Sequence, residues 1–138
     1  GARFFLIAYN VNLDSDNIEL AKEIGVKIRE KSGGMPGVKA MGFMLDDEGV
    51  AQVSMNLVDY RKTSPAQAYQ RIEELANEAG VQVKESEIVG VIPQDAMKLC
   101  ASQRGIDGGS DLDALNQALA TSLKVKDYSP KLVLENHL

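Results

Sequence analysis

Cysteine is nearly missing from this chain. Cys100 is the single one in 138 residues, which excludes an internal disulfide and any zinc centre built from several cysteines. Histidine is equally scarce: only His137 is present, one residue from the end, with no acid or nucleophile near it in a catalytic spacing. Tryptophan is absent and aromatics make up 5%, so there is little from which to build a base-stacking surface for RNA. An excess of positive charge is lacking too. Fifteen Lys and Arg stand against twenty Asp and Glu, for a net charge of −5 and a pI near 4.9. Phosphate backbones are held by clustered Lys and Arg, so nucleic acid is not an expected partner. No apolar run approaches the roughly 18 residues of a membrane span. Nothing at the start resembles a signal peptide, so no membrane partner and a reduced, cytoplasmic setting are expected. Internal repeats and low-complexity segments are missing as well.

What is there has the proportions of a globular protein. The hydrophobic fraction is 44% and the charged fraction 25%. The length suits one domain, residues 1–138. Cys100, among apolar helix residues, reads as a small core side chain.

The pattern predicts six elements in a row. Residues 3–13 form an apolar strand. Ser15–Lys31 carries Ile18, Ala21, Ile24 and Ile28 at helical steps, with Ser15 or Asp16 able to cap its start and Gly33-Gly34 to end it. Val38–Leu45 and Val50–Asp59 are strands joined through Asp46-Asp47-Glu48-Gly49, a segment with hairpin turn chemistry. Ser64, Pro65 and Gln67 spell a helix start with a capping box. In that helix Ala68, Ile72, Leu75 and Ala79 are expected to face inward, and Gly80 to stop it. Val81–Ile92 is the fourth strand. Strand, helix, strand, strand, helix, strand is the βαββαβ order of a ferredoxin-like α+β sandwich, a four-stranded antiparallel sheet with both helices on one face. Residues 1–92 would form this core and 93–138 a helical extension and tail. The extension reads as helices over Gln94–Gln103 and Leu112–Lys124, the second capped by Ser110. Lys131–Leu134 is a β-prone run able to add a strand to this sheet or to a neighbouring one.

Alternation then singles out one face of the sheet. Asn10 and Asn12 share a side of the first strand, and Gln52, Ser54 and Asn56 share a side of the third, which lies beside it in this fold. Strands disfavour Asn, and buried amides need partners. Five such groups therefore suit a platform for a flat polar ligand, the wet seam of a subdomain interface, or a solvated outer face. Lys39 and Arg3 are candidates to meet a carboxylate-bearing ligand. Glu85 and Glu87 have the spacing of an acid–base pair but read better as a solvated strand start. The acids at Asp14 and Asp16 and at Asp111 and Asp113 lack the other ligands of a calcium loop and read as helix-start charges; no metal site is expected. The Gly33–Gly37 segment follows a helix rather than opening one, which rules out a phosphate loop.

Taken together, GARFFLIAYNVNL, VKAMGFML, AQVSMNL, the helix start at Thr63 and SEIVGVIP closely resemble glutamate formimidoyltransferase, the transferase part of formiminotransferase-cyclodeaminase, over nearly the whole chain. The match is to the second of that enzyme's two subdomains. The resemblance implies transfer of a formimino group from N-formimino-L-glutamate to tetrahydrofolate, in histidine breakdown and one-carbon metabolism. It implies a homodimer and a tunnel for folate between two subdomains. Asn10, Asn12, Gln52, Ser54, Asn56 and Lys39 would face that tunnel as folate-binding residues. The catalytic histidine is expected in the first subdomain, and this chain, which begins mid-strand, is expected to be inactive alone. A stand-alone ferredoxin-like module that binds a small regulatory molecule is the competing reading.

Overall fold

Parity organises the first strand. Ile7, Tyr9, Val11 and Leu13 are all fully buried, while the intervening Ala8, Asn10 and Asn12 point to the other side. The structure, a computed structural model, describes residues 6–137. The predicted start of the first strand and Arg3 lie outside them. Within that range the order is β1 (Ile7–Leu13), α1 (Ile18–Ile28), β2 (Val38–Leu45), β3 (Val50–Leu57), α2 (Pro65–Glu78), β4 (Val83–Val89), α3 (Gln94–Gln103) and α4 (Leu112–Ser122), with short 3-10 turns at Glu30–Ser32, Pro130–Leu132 and Leu134–His137.

All three strand pairings are antiparallel and the sheet order is β2-β3-β1-β4, the ferredoxin-like arrangement expected from the sequence. The β2–β3 hairpin closes through Glu48 and Gly49, whose backbone N–H groups both donate to the Leu45 carbonyl, at 3.1 and 2.8 Å. Gly49 takes φ +68°, which a residue with a Cβ resists.

Helix starts follow local capping chemistry. Ser64 accepts from the Gln67 N–H while the Gln67 side chain accepts from the Ser64 N–H, the expected box. Two expected caps are displaced by one or two residues. Asn17, not Ser15 or Asp16, caps α1 by accepting from the Leu20 N–H at 3.0 Å; the Ser15 hydroxyl instead accepts from the Asn17 N–H. Asp111, not Ser110, caps α4 through the Ala114 N–H. In each case the acceptor must sit three residues before the donor it satisfies. The helix α1 stops at Ile28, three residues short of the expected Lys31, because the chain tightens into a 3-10 turn that ends at Gly33 in the left-handed region.

α1 lies close over β2. A Cβ on Gly42 would come within 2.4 Å of the Lys22 backbone nitrogen, so the approach depends on a missing side chain. On α2 the inward residues are Ala68, Tyr69, Ile72, Leu75 and Ala76; Ala79 is exposed because it is already the C-cap, where the chain leaves the helix.

The C-terminal segment is not an appendage. Met97 and Cys100 of α3, Leu119 of α4, Leu123 and Val133 belong to the same buried cluster as the sheet and the first two helices. Gln94 and Asn116 exchange two hydrogen bonds of 2.8 Å between α3 and α4. Among its described residues the tail adds no strand. Lys131–Leu134 makes a 3-10 turn and one parallel bridge, Val133 to Ile92, and Val125 makes another to Ser86. Pro130 lacks the N–H a regular ladder would use, so the tail touches the β4 side of the sheet at two points.

Candidate functional site

Among the described residues no helix covers the second face of the sheet, and the register lays its side chains out in rows. Lys39, Asn56, Ala8 and Val89 form one row across β2, β3, β1 and β4. Met41, Ser54, Asn10 and Glu87 form the next, and Phe43, Gln52, Asn12 and Glu85 the third. All six predicted site residues, Asn10, Asn12, Gln52, Ser54, Asn56 and Lys39, therefore stand on one face.

They do not share one environment. Asn12 is 1% exposed and Gln52 8%, whereas Asn56 and Lys39 are exposed and Asn10 and Ser54 half-buried. The buried pair is already bonded. The Gln52 Nε2 donates to Asn12 Oδ1 at 2.8 Å, and Asn12 Nδ2 donates to Glu85 Oε2 at 2.9 Å. Burial without such partners would cost each amide about 1–3 kcal/mol.

Glu85 and Glu87 are not a free solvated strand start. Each accepts from an asparagine, Glu87 from Asn10 at 3.5 Å, and both stand beside Lys126, whose Nζ lies 3.6 and 3.7 Å from them and 3.8 Å from Glu48 of the hairpin. Partial burial pulls the Lys126 pKa down, but the carboxylates of Glu87, Glu48 and Glu85 outweigh it and hold the ammonium above its usual range. A lysine among three carboxylates stays charged, so this end of the face works by fixed charge rather than proton transfer.

The opposite end is open. Around β2 the face runs into a cavity of about 650 Å³ whose lining includes Lys39, Met41, Phe43, Ser54 and Asn56, with Arg29, Lys31 and the single acid Glu30 from beyond the end of α1. Met41 is 61% and Phe43 44% exposed. An apolar strip, three basic residues and adjoining amides would accept a flat, partly apolar ligand with an anionic end. Among the described residues no group of three or more His, Cys, Asp and Glu is placed to hold a metal ion, and no helix is long and apolar enough to cross a membrane. His137 sits in an exposed turn with its ring nitrogen against the Lys131 carbonyl. Cys100 is fully buried, and desolvation pushes its thiol up to about 11, as befits a core side chain rather than a nucleophile.

Sequence reasoning missed Met41, Phe43 and Lys126. The first two share the parity of Lys39, so alternation along β2 was enough to find them. Nothing local marks Lys126, whose position depends on how the tail docks.

A family model of the formiminotransferase domain matches residues 8–105, which span the first three helices and all of the sheet except Ile7. The chain belongs to the formiminotransferase domain family. Among its relatives, the glutamate formimidoyltransferase of Thermoplasma acidophilum is 45% identical over 117 residues, covering 82% of this chain and 39% of that protein. The glutamate formimidoyltransferase of Streptococcus pyogenes is 39% identical over 139 aligned positions, covering all of this chain and 40% of that protein. The formimidoyltransferase-cyclodeaminase of Gallus gallus is 41% identical over 103 residues, 70% of this chain and 19% of that protein. The formiminotransferase chain described here thus spans about two fifths of the length of the first two relatives.

Proposed function

We propose that this chain is the folate-positioning subdomain of a formiminotransferase that moves a formimino group from N-formimino-L-glutamate to tetrahydrofolate. The observation that carries the reading is the uncovered sheet face of a formiminotransferase-family domain, with neutral amides at its centre and Lys39 beside an apolar strip at its open end. A pterin is flat and polar, which suits the amide rows, and the carboxylates of a folate tail suit Lys39 with Arg29 and Lys31. In the transfer, N5 of tetrahydrofolate attacks the formimino carbon, and the bond from that carbon to the glutamate nitrogen breaks as that nitrogen takes up a proton. The proton-transferring group is assigned to a neighbouring subdomain of the complete enzyme, because neither His137 nor Cys100 stands on this face. This chain holds the acceptor substrate and shapes the site.

The test is titration of a complete enzyme with 5-formyltetrahydrofolate, followed by calorimetry, for the parent and for Asn10→Ala and Asn56→Ala. Each lost hydrogen bond of about 1 kcal/mol should weaken binding by about fivefold with little change in melting temperature. Unchanged affinity in both variants removes the assignment of this face. Turnover by the 138-residue chain alone would overturn the division of labour.

A further inference from the structure

The two amides at the buried end of the open face are joined in a chain with one possible direction. A carboxylate at neutral pH only accepts hydrogen bonds, so the group that Asn12 turns toward Glu85 must be its NH2. Its carbonyl oxygen then faces Gln52 and must receive the Gln52 NH2. The carbonyl of Gln52 is left over, and among the described residues it accepts no hydrogen bond. The same reasoning applies one row along: Asn10 gives its NH2 to Glu87, and among the described residues its carbonyl oxygen accepts no hydrogen bond. Gln52 and Asn10 sit on neighbouring strands, in adjacent rows of the same face and two pairing steps apart. The direction of the chain is set at β4, where the carboxylates stand.

What holds those carboxylates in place is the tail. The segment before Lys126 is fastened to β4 by two backbone hydrogen bonds of 2.8 Å, Ser86 N–H to the Lys124 carbonyl and Lys126 N–H to the Ser86 carbonyl. Lys124 and Asp127, on either side, both have positive φ, +51° and +55°, conformations that non-glycine residues hold only where the surroundings impose them. The Lys126 ammonium lies 3.6 Å from the Glu85 oxygen that receives Asn12, and it also meets Glu87 and Glu48. Without that cation, three carboxylates at one corner of the sheet would repel one another and swing toward water.

We infer that Lys126 is a positioning residue that sets the hydrogen-bonding polarity of the open face, so that Gln52 and Asn10 present carbonyl acceptors and the face recognises a ligand through N–H donors. The inference rests on the folate reading for the ligand itself. There it assigns the 2-amino-pyrimidinone edge of the pterin, which carries N–H donors, to this end of the face. Lys126 lies beyond residues 8–105, so the device belongs to the tail rather than to the segment the family model covers.

Two measurements decide it. The first uses no ligand: side-chain NH2 exchange in the 15N-labelled chain. The Asn12 and Gln52 NH2 protons should exchange slowly, Lys126→Met should speed Asn12 exchange by at least about tenfold, and Lys126→Arg should restore it. The backbone signal of Val53, on the covered face, reports that the fold is intact. Unaltered Asn12 exchange in Lys126→Met overturns the positioning role. The second uses the complete enzyme and compares 5-formyltetrahydrofolate with its 2-desamino-2-methyl analogue, which lacks the donor amine. The parent ligand should bind about tenfold more tightly than the analogue, and Lys126→Met and Gln52→Met should each shrink that ratio. Equal affinity for both ligands overturns the acceptor face and leaves the folate reading standing. Failure of both ligands to bind overturns the folate reading and the pterin assignment together, while amide exchange still decides the role of Lys126.

Discussion

The two faces of this sheet are made by the same four strands, one residue out of step. On the covered face Ile7, Tyr9, Val11, Val53, Met55 and Leu57 are buried against helices, and what matters is volume. On the open face Asn10, Asn12, Gln52, Ser54 and Asn56 occupy the alternate positions, and what matters is the direction of each hydrogen bond. Apolar packing tolerates small rearrangements, whereas a chain of amides ending on carboxylates has only one satisfied orientation. The first face therefore accounts for stability, and the second is the one to which recognition is proposed.

The largest test of that division is Met97→Ala. Met97 lies in the extension but packs with the covered face, so its truncation should cost about 3 kcal/mol in urea unfolding and leave a single transition. A separate early transition would show that the extension folds apart from the sheet. Gly42→Ala comes next. Its new methyl group would meet the α1 backbone, and destabilisation of about 2 kcal/mol is expected. A third test uses pH. Below about pH 8 the Cys100 thiol is mostly protonated in both the folded and the unfolded chain. As pH rises toward 11 the unfolded chain releases the proton that the folded chain keeps, so stability should fall by about 1.4 kcal/mol per pH unit. Chemical denaturation of Cys100→Ala at a series of pH values should lack that portion of the decline. The smallest effect is expected one residue from Gly42, at Met41→Ala on the open face, with less than about 0.5 kcal/mol lost on melting. A large loss there would mean that the open face also supports the fold.

The helix starts and strand limits show what local sequence carries. Val38–Leu45 and Gln94–Gln103 end where their patterns predict, and the Ser64 box forms as written, because each depends on residues within one turn or one strand. The displaced caps at Asn17 and Asp111 show the limit of that reading, since several polar residues compete and the path of the incoming chain chooses among them. Lys131–Leu134 shows it again: its β propensity yields to Pro130 and to the place where the tail docks.

The candidate site divides in the same way. Alternation by itself put Asn10, Asn12, Gln52, Ser54 and Asn56 on one face, because a strand has a period of two whatever surrounds it. The motifs along β1 to β4 were likewise enough to point to the formiminotransferase family. Only the tertiary structure decided that Asn12 and Gln52 are buried and bonded to each other, that Met41 and Phe43 flank an open cavity, and that Lys126 reaches Glu48, Glu85 and Glu87. The amide and Lys126 contacts join residues about 40 to 80 positions apart in the chain, and no local preference encodes them.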